Sequence, residues 1–123
     1  MSFRLVNVPL YGMKIRLVTT RDEATALVEQ ISGGMDDGGS FDEFAGCCYP
    51  VTTPQGQVGF ILAVFDDNRN TAIHESIHMA RMILEHVQVR WSPKLDEPLA
   101  YLAAWIADEM LTFLEEVRDA PGD

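Results

Sequence analysis

Apolar and polar positions alternate through the first segment of the chain. Val6, Val8 and Leu10, then Met13, Ile15 and Leu17, keep the two-residue spacing of a half-buried strand across roughly 3–18. Gly12 reads there as a bend or bulge. Thr20 and Glu23 have the spacing of a capping box, and Leu27, Val28 and Ile31 continue a helical stripe that Gly33-Gly34 ends. The run 35–40, Met-Asp-Asp-Gly-Gly-Ser, reads as a polar loop. Two further strands follow, over about 44–51 and 58–65, joined by the turn Thr53-Pro54-Gln55-Gly56 as an antiparallel hairpin.

The period then lengthens to that of a helix. After the polar break 66–70, a helix over 71–87 is expected, capped by Asn70 or Thr71, with Ile73, Ile77, Ala80, Met82, Ile83 and Leu84 as its apolar surface. Pro93 marks a loop. A last helix over about 96–117 tolerates Pro98 in its first turn and buries Leu99, Leu102, Trp105, Ile106, Met110, Leu111 and Leu114. The tail from Arg118 to Asp123 is expected to fray. The order β-α-β-β-α-α predicts a single α+β domain over 1–123: a small, mostly antiparallel sheet with helices packed against it.

Composition adds limits. Apolar residues make up 47% of 123, enough for one core without disulfide staples. The net charge of −10 excludes a nucleic-acid backbone or an anionic membrane as the main partner and leaves cations and basic protein surfaces open. Adjacent Cys47 and Cys48 point to opposite faces of a strand, so they are read as core residues in a reducing cytoplasm. No signal peptide and no membrane span are expected.

The candidate chemistry lies in His74-Glu75-Ser76-Ile77-His78, an HExxH sequence inside the predicted helix. Positions i and i+4 lie about 40° apart around a helix axis and one turn apart along it, so both imidazoles can reach one ion. Zinc suits two neutral imidazoles plus a carboxylate with a fourth position open. Glu75 then stands beside the metal as a general base. His86 is too far along for a shared ion, about 12 Å on a straight helix, and reads instead as a helix-ending residue. Glu97, in the first turn of the last helix, is the preferred third ligand, with Asp96 and Glu109 as competing carboxylates. Tyr101 shares Glu97's face, where its hydroxyl would support the carboxylate, stabilise an oxyanion, or simply pack.

The sequence from His74 to His78, followed by Asp96-Glu97-Pro98-Leu99-Ala100-Tyr101-Leu102, resembles the gluzincin metallopeptidases, and within them small phage- or prophage-encoded minigluzincin-like proteins. The resemblance implies a minimal zincin-like half-domain in which His74, His78 and Glu97 bind Zn2+ and Glu75 is base and acid. It also implies that the strand 58–65 edges the substrate cleft. Larger gluzincins place an aspartate where this chain has Tyr101, so another group must orient the imidazole.

Three functions compete. The first is a zinc-dependent peptide or amide hydrolase with a peptide or protein substrate. The second is a zinc-stabilised protein-binding module with little turnover, such as a phage inhibitor of a host protein in the host cytoplasm. The third is an acidic decoy for a basic host protein, supported only by scattered carboxylates.

Overall fold

The computed structural model describes residues 3–33 and 41–120. Gly34 and the predicted loop 35–40 lie outside the described residues, as does the end of the tail from 121 onward.

The first segment is two strands rather than one. Strand β1 (Arg4–Asn7) and strand β2 (Lys14–Val18) form an antiparallel hairpin, with Arg4 opposite Leu17 and Asn7 opposite Lys14. The apolar positions change phase between Leu10 and Met13, and there Pro9 lacks a ladder donor and both Leu10 (φ 70°) and Gly12 (φ 69°) adopt left-handed backbone. The Val8 amide donates to the Met13 carbonyl at 2.8 Å, closing the turn.

Helix α1 (Arg21–Ser32) starts at Thr20, whose hydroxyl accepts from the Glu23 amide at 3.2 Å and donates to the Glu23 carboxylate at 2.8 Å. It ends at Gly33 (φ 84°), whose amide returns to the Glu29 carbonyl. The predicted hairpin follows as strand β3 (Gly46–Thr52) and strand β4 (Val58–Val64), antiparallel.

Helix α2 (Arg69–His86) is capped by Asn68, whose side chain accepts from the Asn70 amide at 2.8 Å. Asn70 and Thr71, the expected caps, already lie inside the helix. The Thr71 hydroxyl instead donates to Asp66 at 2.8 Å. Helix α3 (Glu97–Asp119) follows, with Asp96 in the capping position and Pro98 in the first turn. The expected fraying at Arg118 is not seen: its guanidinium pairs with both Asp67 oxygens, at 2.7 and 3.2 Å.

The sheet order is β1-β2-β4-β3. Two of its three pairings are antiparallel, as expected, but the sheet is mixed, because β2 and β4 pair in parallel with Ile15 opposite Phe60. That pairing places β4 in the interior, so the strand expected to edge a cleft has no free edge. Its sequence, Val-Gly-Phe-Ile-Leu-Ala-Val, is apolar on both faces, which suits a strand covered on both sides. The free edge on that side belongs to β3, where Pro50 interrupts the donors.

The two faces carry separate cores. Ile61, Ala63, Val51 and Val18 meet Ala24, Leu27 and Val28 of α1, together with Phe41. Ile15, Leu17, Phe60 and Leu62 meet Met79, Ala80, Ile83 and Leu84 of α2 and Leu102, Ile106 and Met110 of α3. Burying each such Leu, Ile or Met contributes about 1.5–3 kcal/mol before entropy is counted. The fold is thus an α+β arrangement of one mixed sheet between one helix and two. Among the described residues no helix is long and apolar enough to cross a membrane.

Candidate metal centre on helix α2

The sheet decides which way each residue of the HExxH segment points. Helix α2 buries Ala72, Ser76, Met79, Ala80, Ile83 and Leu84. His74 and His78 are each two residues from a buried position, about 160° away around the axis, so both rings face solvent. Ser76 satisfies its buried hydroxyl by donating to the Ala72 carbonyl at 2.7 Å. Ile73 and Ile77, expected in the core, are 40% and 45% exposed, because the helix buries a narrower band than its apolar positions span.

The structure brings His74, Glu75 and His78 together. The two Nε2 atoms lie 3.1 Å apart, with ring centroids at 4.7 Å and planes at 76°. Two nitrogens bound to one tetrahedral zinc at 2.0–2.1 Å would stand about 3.3 Å apart, so the pair suits two corners of a tetrahedron. Without a metal, the same distance holds a hydrogen bond between one Nε2–H and the other ring's lone pair.

Glu75 lies between this pair and the sheet edge. Its side chain is 15% exposed against 67% for His74, and its Oε2 is 3.9 Å from His74 Nε2. The Cys48 thiol donates to the Glu75 backbone carbonyl at 3.0 Å and lies 3.5 Å from its Oε1. Gly46 allows this approach: a Cβ there would stand 2.8 Å from the Ala63 carbonyl, 2.7 Å from Thr71 and 3.2 Å from Glu75 Cγ.

A pocket of about 430 Å³ opens here, between the β3 edge and α2, with Gly46, Cys47, Cys48, Glu75 and His78 in its lining. Burial first, and then the Glu75 charge, push the Cys47 thiol up to about 12. The same two causes raise the Cys48 thiol. Both cysteines are free. Sequence reasoning placed them correctly on opposite faces but missed Cys48 as a neighbour of Glu75. No local pattern signals a contact between residues 27 apart in sequence.

Glu97 and Tyr101 are elsewhere. They line a second groove of about 480 Å³ with Pro9, Leu10, Tyr11 and Trp105, at the turn of the β1–β2 hairpin. They share a face of α3, as their spacing requires, and Tyr101 is 74% exposed. The Arg118–Asp67 pair joins the end of α3 to the start of α2, so the two helices run antiparallel. Glu97, at the start of α3, therefore lies toward the C-terminal end of α2. Among the described residues, no three His, Cys, Asp or Glu side chains are gathered as a bound metal ion requires, Asp96 and Glu109 included. The donor set on the solvent face of α2 is two imidazoles, and Glu97 lines a different groove.

Comparison of the chain with family models, curated proteins and solved structures returns no match.

Proposed function

We propose that this chain is a zinc-binding protein whose ligands include His74 and His78, and that it works as a zinc-dependent protein-binding module. The observation that carries this reading is the 3.1 Å separation of the two Nε2 atoms on the solvent face of α2. An ion held there by two imidazoles keeps positions free for donors from a partner, and zinc accepts imidazole, thiolate or carboxylate donors in such positions. The net charge of −10 directs the partner toward protein surfaces and away from nucleic acid and anionic lipid.

A second reading is favoured by Glu75, whose Oε2 lies 3.9 Å from His74 Nε2. It is a zinc-dependent peptide hydrolase of minimal gluzincin type, with the fold a zincin-like half-domain. What supports it is the position of the HExxH helix, which follows β4 and packs directly on the sheet. It requires a third ligand besides the pair.

The two readings separate in one set of measurements. Zinc binding by calorimetry is compared among the parent, His74→Ala, His78→Ala and Glu97→Gln, and hydrolysis of a mixed peptide library is measured beside Glu75→Gln. The binding module predicts zinc lost in either histidine variant, retained in Glu97→Gln, and no cleavage. Cleavage that disappears in Glu75→Gln would establish the hydrolase instead. Undiminished zinc binding in both histidine variants would remove both readings.

A further inference from the structure

We infer that the zinc ion held by His74 and His78 is shared between two copies of this chain, each supplying its histidine pair. This deepens the zinc-binding reading above and rests on it. Structural zinc sites are closed by four protein ligands, almost always tetrahedral. One copy brings two imidazole nitrogens to 3.1 Å, and no group of three or more ligating side chains forms among the described residues. A two-fold axis through the ion supplies the missing two and gives four imidazoles with no further donor. A two-fold interface uses the same patch on both partners, so it needs no complementary surface elsewhere on the molecule.

The surroundings of the pair suit such contact. His74 is 67% exposed, so a second chain can reach it. Ile73 and Ile77 precede the two histidines and stand about 100° around the helix from them. Both are large, apolar and exposed, at 40% and 45%. When two α2 helices cross antiparallel at the axis, their isoleucines fall on the same side of the ion and meet each other. The chain's charge of −10 opposes association of two copies, and a dication at the centre offsets part of that repulsion. Association therefore depends on the metal, and added salt favours it by screening.

The test is sedimentation of the full chain with zinc alone and with chelator, together with zinc analysis of the sedimenting species. The expected result is a mass of twice 13.7 kDa with zinc, one ion per two chains, and reversal by chelator. Ile77→Glu should retain the fold, checked by circular dichroism, and raise the concentration for half-dimerisation about tenfold, the equivalent of 1.4 kcal/mol. A monomer that binds one zinc per chain would overturn the shared ion while leaving the zinc-binding reading in place. A dimer that persists in chelator would overturn it in the same way. Absence of histidine-dependent zinc binding would overturn both.

Discussion

The thermal response to zinc offers the most direct check on the α2 site, because its size follows from the protein's length and from the exposure of the ligands. A ligand that binds only the folded state stabilises it by about 2.7 kcal/mol at a free concentration one hundred times its dissociation constant. For 123 residues, the entropy of unfolding is about 0.26 kcal/mol per kelvin. The quotient is a rise in Tm of about 10 °C. Both histidines are solvent-facing and outside the core, so replacing either with alanine should move the zinc-free Tm by little, within about 0.5 kcal/mol. The same replacement should abolish the zinc response. Glu97→Gln should leave the response intact, since Glu97 lies in the other groove. Differential scanning calorimetry of the four proteins, with and without zinc, measures all of this. An undiminished rise in both His74→Ala and His78→Ala would refute the assignment. Loss of the rise in Glu97→Gln would show that the third ligand reaches the pair after all.

Further expectations concern the frame that holds the site. Gly46→Ala places a methyl 2.8 Å from the Ala63 carbonyl, which is backbone and cannot rotate away, so destabilisation of about 1–3 kcal/mol is expected in urea. An unchanged midpoint would mean that the Ala63 carbonyl of β4 does not crowd that position. Ile61→Ala removes a fully buried side chain beneath α1 and should cost about 2–5 kcal/mol. The Asp67 carboxyl is held below its ordinary value by its hydrogen bonds to Arg118. A lowered folded value means that the pair's stabilisation is present above the unfolded value and is lost as pH falls through the folded one. Carbon-detected NMR titration should therefore show Asp67 protonating later in acid than it does in Arg118→Ala, and coincident curves would refute the pairing. With the Cys47 thiol raised to about 12, alkylation of the native protein at pH 8 should be slow. Allowing for the greater nucleophilicity of a more basic thiolate, the rate should fall about thirtyfold below that of an ordinary cysteine. Equal rates in native and unfolded protein would contradict the burial.

Local pattern alone was enough to determine most of the elements. Thr20 and Gly33 bound α1 because cap chemistry is written within a few residues, and the i, i+4 spacing of His74 and His78 brings their rings together whatever surrounds them. The opposite facing of Cys47 and Cys48 follows from strand period in the same way. Tertiary structure decided everything that depends on which element lies beside which. The apolar alternation changes phase between Leu10 and Met13, where Gly12 signals a bend, but only the pairing of β1 with β2 shows that the chain reverses there into a hairpin. The apolar run of β4 is compatible with an edge or an interior strand, and the parallel pairing with β2 made it interior. Whether Glu97 meets the histidines depends on how α3 crosses α2. The antiparallel return, fixed by the packing of Leu102, Ile106 and Met110 on the shared core, carries it to the far end. Spacing along one helix is set by backbone hydrogen bonds. Distance between two helices is set by side chains remote from the motif, and no motif records those.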